Sequence, residues 1–295
     1  MANGLSRDGL CTRSGSASLL VLGILAVCAS LIAVSQVSLS SSSTRLRIRK
    51  NRISLRTASL LGLRQGMELL ADDTIPAYDD AREDWGQPLR FITSEGVSVS
   101  VIISDAQNRL NINHFNQPLS PGTVRTPEDM FSDLATLKGT EIDAEELNFL
   151  AATMREEELE LQDPMQLLSI QPGLMESFPF MAMELSALPS TQTRPIQVNL
   201  NSVRPVVLSA LVGPQLQAWV EQVLLAREAA PLPSVAAVSR SLPSVIQPLL
   251  SRAVDVRSTY FEIQVTSLVD SMEETLRVLV QRTSDNGVEV LRCQW

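Results

Sequence analysis

From Ala17 to Val37 the chain carries no charged side chain over 21 residues. A helix of that length, rising roughly 1.5 Å per residue, crosses a hydrocarbon core of about 30 Å. Arg7 and Arg13 precede it as a short basic segment. Three outcomes compete: a signal cut after the run, an uncut anchor, or a cut ahead of the run that leaves the apolar helix in place. Arg13-Ser14-Gly15 stands directly before Ser16-Ala17-Ser18-Leu19-Leu20, so Gly15 is the natural residue for a cut of the third kind, with Ser16 the new first residue. A lipoprotein cut at Leu25-Ala26-Val27-Cys28 is opposed by the bulk of Val27. Arg45, Arg47, Arg49, Lys50, Arg52 and Arg56 follow the run. By the positive-inside rule that excess points to a cytoplasmic C-terminal side.

Beyond the run, Ile53, Leu60, Leu61, Met67 and Leu70 recur at helical spacing with Arg56 and Arg64 between them. This predicts an amphipathic helix over 46–70, either separate or continuous with the apolar one. Gly62 and Gly66 weaken it without breaking it.

The rest of the chain is acidic. Residues 51–295 hold 18 Lys and Arg against 32 Asp and Glu, a net charge of about −14. Such a surface repels nucleic acid, whose affinity rests on cations displacing counterions from phosphate, and suits divalent cations or basic partners. Cys11 and Cys28 lie in or before the apolar run, leaving Cys293 alone in the body without an intrachain disulfide partner. A single histidine, His114, leaves little room for imidazole-based metal or nucleophile chemistry. GxSxG, GxGxxG and Walker patterns are absent. Nothing in the chain argues for an enzyme.

Strand character appears at 89–93 and 97–103, separated by Ser94-Glu95-Gly96 as a turn. From Thr126 to about Arg252 the signals turn helical and strands vanish. Thr126 followed by Pro127 reads as an N-cap with proline at the first helical position. Leu147, Leu150 and Met154 are helically spaced, Asp163-Pro164 opens a short helix, and Gly213-Pro214 divides two helices within 203–227. Strands return at 260–269 and 276–280, and a last one follows Asp285-Asn286-Gly287, a type I′ turn signal. The pattern is an α+β domain with an all-helical insertion.

Two clusters invite a functional reading. Asp72, Asp73, Asp79, Asp80, Glu83 and Asp84 could furnish oxygen ligands to Ca²⁺. Their spacing matches no EF-hand, and a solvated acidic loop accounts for the same residues. The helix pair around Val212-Gly213-Pro214 looks like half of a helix-hairpin-helix, which makes a membrane-anchored nucleic-acid-binding protein of the DNA-uptake type the alternative function. Pro214 removes a backbone donor from that turn, and few positive charges flank it, so a structural helix pair is the simpler reading.

Taken in order, the Gly15 leader, apolar helix, Glu83-Asp84-Trp85, Arg109-Leu110-Asn111-Ile112-Asn113, the helical block, Val198-Asn199-Leu200-Asn201-Ser202 and the C-terminal strands resemble the general secretion pathway protein K family. These are the minor pseudopilins of bacterial type II secretion. The resemblance implies a leader at 1–15, a transmembrane helix at 16–38 and a pseudopilin α/β domain at 39–124 and 253–295, with a helical insertion at 125–252. It implies a non-enzymatic subunit at the tip of a periplasmic pseudopilus, helping to initiate assembly for protein export. Its partners would be the I- and J-type minor pseudopilins, the inner-membrane secretion platform and the prepilin peptidase, with no nucleic acid. At least some members bind calcium. Pilins usually carry glutamate at the fifth mature position, whereas K-type subunits do not. Counted from Ser16, that position is Leu20.

Overall fold

The computed structural model describes residues 13–73, 77–116, 125–189, 196–283 and 287–295. The predicted leader lies outside them up to residue 12, as does Asp285-Asn286 of the expected turn. Two compact units part after Arg56: residues 1–56 and 57–295.

The first element, α1, runs from Arg13 to Ala71 and so includes both predicted helices in one. Gly15 and Ser16 are part of its first turn. Its apolar portion is long enough to span a membrane, and Leu19, Leu20, Leu22, Ile24, Leu31 and Ile32 stand exposed on it. Ser40 to Thr44 is a run of indifferent helix formers. There the hydroxyls of Ser41, Ser43 and Thr44 donate back to the carbonyls of Ser38, Ser40 and Ser40, as Ser30 does to Ala26, so these polar groups are satisfied within the helix.

In the second unit the strands are β1 (Leu89–Ile92), β2 (Ser98–Asp105), β3 (Leu110–Asn111), β4 (Leu185–Ser186), β5 (Val198–Asn199), β6 (Val254–Asp255), β7 (Tyr260–Val269), β8 (Met272–Arg282) and β9 (Val288–Gln294). The helices are α2 (Pro127–Leu137), α3 (Ala144–Glu156), α4 (Leu167–Ile170), α5 (Phe178–Met181), α6 (Pro205–Val212), α7 (Gln217–Ala229), α8 (Ala236–Ser239) and α9 (Gln247–Ala253). β1, β2, β7, β8 and β9 form one antiparallel sheet in that order. Alternation puts Val99, Val101, Ile103, Phe261, Ile263, Val265, Leu276, Val278 and Val280 on its buried face. The C-terminal part of α1 lies on that face. A Cβ on Gly62 would sit 2.7 Å from Val265 Cγ1, and one on Gly66 3.1 Å from Ile263 Cγ2. Glycine at these positions is therefore what lets helix and sheet approach.

Asp105 ends β2 directly opposite Phe261 of β7, so the helical block leaves and re-enters the sheet at one corner. Its start is capped as expected. Thr126 accepts from Asp129 N with Pro127 at the first helical position, and Asp143 and Asp163 cap the next two segments. Phe131, Leu134, Leu147, Leu150, Met154, Val207, Leu208 and Val220 are fully buried in its core. Strands do not vanish here, as the local pattern suggests. β4 and β5 are two-residue strands pairing in parallel with β3 and β6. Two residues are too few to display alternation, and only the distant partner defines them.

Candidate functional site

The acidic loop is drawn in by a cation its sequence neighbourhood does not contain. Arg282, at the end of β8, donates to Asp73 Oδ2 at 2.6 Å, to Asp79 Oδ1 and to the Ser258 carbonyl at 3.0 Å. Its guanidinium also lies 5.0 Å from the Phe261 ring centroid, and Trp85 meets that ring edge-on at 5.1 Å. Asp79 receives Ser258 N on its other oxygen at 2.7 Å, and its own N–H donates to Val256 O at 2.8 Å. Burial nonetheless holds the Asp79 carboxyl above its ordinary range, with the hydrogen bonds and Arg282 opposing.

The six expected acids divide. Asp73, Asp79 and Glu83 each bring a carboxylate oxygen within 4.8 Å of the other two. Asp80 is taken by Arg82, which donates to both its oxygens at 2.8 Å. Opposed by its own desolvation, this pairing keeps the Asp80 carboxyl below its ordinary value. Asp72 and Asp84 line the same cleft of about 310 Å³, with Tyr78, Trp85 and Pro231, but stand outside the converging trio. Glu83 accepts Asp80 N at 2.7 Å. Burial pushes its carboxyl up to about 7, and Asp73 and Asp79 add to the effect. Oxygens bound to one Ca²⁺ at its usual 2.3–2.6 Å lie at most about 5 Å apart. The trio meets that limit, although Arg282 already shares two of its members.

Beneath the loop lies a fully buried carboxylate. Asp105 accepts from Gln107 N at 2.7 Å, Asn199 Nδ2 at 2.9 Å, Ser258 Oγ at 2.6 Å and Ser202 Oγ. Burial raises its pKa and these four donors oppose the rise. Asn199 Nδ2 also reaches Asp79 O at 3.0 Å. Residues 79, 105, 199, 202 and 258 therefore meet at one polar knot under the trio.

The two Asn-x-Asn motifs are staples. Asn113 closes a two-way amide pair with the backbone of Leu161, accepting its N–H at 2.8 Å and donating to its O at 2.9 Å. It also donates to Leu188 O at 2.7 Å. Asn111 pairs with Leu188, and Asn201 with Leu232, in the same two-way manner. Each side chain copies a backbone amide and pins a distant loop where no ladder exists.

The helix pair places its cations inward. Arg204 pairs with Glu184 at 3.3 Å, and Arg227 donates to the carbonyls of Leu200 and Val203 at 2.9 and 2.6 Å. Neither guanidinium is presented as a phosphate clamp.

No protein-family model and no curated protein matches the sequence. In structure, 85% of this chain superposes on 98% of a chain in the crystal structure of the GspK–GspI–GspJ complex from the enterotoxigenic Escherichia coli type 2 secretion system. The TM-score is 0.69 at 18% sequence identity. The fold is a pseudopilin fold. At that identity the likeness carries the architecture alone.

Proposed function

We propose that this protein is a non-enzymatic minor pseudopilin of the K type, anchored in the bacterial inner membrane by residues 16–38 with its body in the periplasm. The observation that carries this reading is the fold shared with a chain of a secretion-system complex, combined with an exposed apolar helical run that follows Gly15 in sequence. The neighbouring chain was crystallised in a three-component complex, which supports I- and J-type pseudopilins as partners here. The assembly platform and the prepilin peptidase are the further contacts that such a life cycle requires. Leu20 in place of a carboxylate supports a tip position. A subunit without that carboxylate cannot neutralise the terminal amine of a subunit above it, so it belongs where assembly begins. Asp73, Asp79 and Glu83 would hold a calcium ion that ties the start of the acidic loop to its end.

The test is the N-terminal residue and intact mass of the protein extracted from membranes, for wild type and Gly15→Ala. A wild-type start at Ser16, with an uncleaved and secretion-deficient Gly15→Ala variant, is the expected result. A start beyond Val37, or normal secretion by the variant, would overturn the reading.

A further inference from the structure

A second cleft, of about 220 Å³, lies between the outer face of the sheet and the segment 163–188. Arg109, Glu262, Arg277 and Arg292 line it from the sheet side, and Pro164, Met165, Phe178 and Ala182 from the insertion. In a body of about −14, this is a place where arginines outnumber acids. Of the acids present, Glu262 is already paired with Arg109 at 3.2 Å, and Asp163 is engaged in capping, accepting Met165 N at 2.8 Å.

The remaining cations are under-used. Arg277 is exposed, and its side chain makes no hydrogen bond or ion pair among the described residues. Among the described residues Arg292 reaches only the Ala187 carbonyl with its side chain, at 3.4 Å. In the β8–β9 register Arg277 faces Gln294 and Arg292 faces Leu279, so the two arginines are diagonal neighbours on one face. Like charges so placed repel, and an anion between them removes the repulsion and gains charge-assisted hydrogen bonds. β9 is also an edge strand of the sheet. Val290, Leu291 and Trp295 stand exposed along and just beyond it, and Arg292 and Gln294 bring it to the rim of the cleft.

We propose that this cleft receives a carboxylate side chain from an extended segment of a partner polypeptide laid along β9, gripped by Arg277 and Arg292. The edge strand supplies backbone pairing, the arginines select the acid, and Pro164 and Met165 cover its apolar neighbours. The volume suits one side chain and falls below the roughly 300 Å³ at which small-molecule pockets begin, which favours a polypeptide over a free metabolite.

The test titrates fluorescein-labelled ten-residue peptides of alternating Val and Glu, or Val and Gln, into the full-length detergent-solubilised protein, following anisotropy. The Glu peptide is expected to bind about tenfold more tightly than the Gln peptide, the usual worth of a charge-assisted pair. Arg277→Gln should abolish that preference, whereas Arg90→Gln, on the opposite edge strand, should retain it. Circular dichroism of each variant separates lost binding from lost folding, and Arg292→Gln serves if Arg277→Gln unfolds. Equal affinity for the two peptides, or an intact preference in both cleft variants, overturns the proposal. Glutarate binding as tightly as the Glu peptide overturns the polypeptide as ligand.

Discussion

Asn113→Ala is the sharpest probe of how the insertion is held. The side chain is fully buried and serves three backbone groups: Leu161 N, Leu161 O and Leu188 O. Leu188 O keeps a second donor, Asn111 Nδ2 at 3.3 Å, so truncation orphans the two Leu161 groups. A buried backbone group left without a partner costs about 1–3 kcal/mol, and the small cavity left by the amide adds about 1 kcal/mol. A total near 4 kcal/mol follows. For a body of this size each kcal/mol shifts Tm by about 2–4 °C, so a fall of about 10 °C is expected. Thermal unfolding followed by tryptophan fluorescence reports on it directly, because Trp85 and Trp219 are both buried in this unit. Asn113→Asp keeps the shape and the acceptor but sets a carboxylate oxygen against two carbonyls, and should do at least as much harm at neutral pH. Asn148→Ala, at an exposed helix position, should leave Tm unchanged. A Tm within about 2 °C of wild type for Asn113→Ala would refute the staple argument.

At Gly62, alanine gains about 1 kcal/mol of helix propensity but places its Cβ 2.7 Å from Val265 Cγ1. Overpacking of about 1–3 kcal/mol should prevail, giving a net loss near 1 kcal/mol by urea unfolding; a stabilised variant would show that the helix–sheet gap is looser than described. The Glu83 carboxyl, raised from its ordinary 4.5 to about 7, contributes stability that is complete below about 4.5 and lost as pH rises through about 7. Asp79, also raised, acts in the same direction. Calcium should therefore raise Tm clearly at pH 8, by about 2.7 kcal/mol of stabilisation at a hundredfold excess over Kd, and much less at pH 5.5. Equal shifts at both pH values, or an undiminished shift in Glu83→Gln, would remove the trio as a metal site.

Local chemistry alone determined several features of this protein. An uncharged run of 21 residues has to be a helix long enough for a membrane. Alternation in 97–103 and 260–269, and caps such as Thr126-Pro127 and Asp163-Pro164, specify strands and helix starts because each depends on residues within one or two turns of chain. Tertiary structure decided the rest. The apposition of Asp105 with Phe261, the recruitment of Arg282 to Asp73 and Asp79, and the pairing of β4 and β5 all join residues 50 or more positions apart. The six acids look equivalent along the sequence. Only the fold separates three that converge from one neutralised by Arg82 and two left on the rim, because electrostatic partnership depends on distance in space and on exclusion of water.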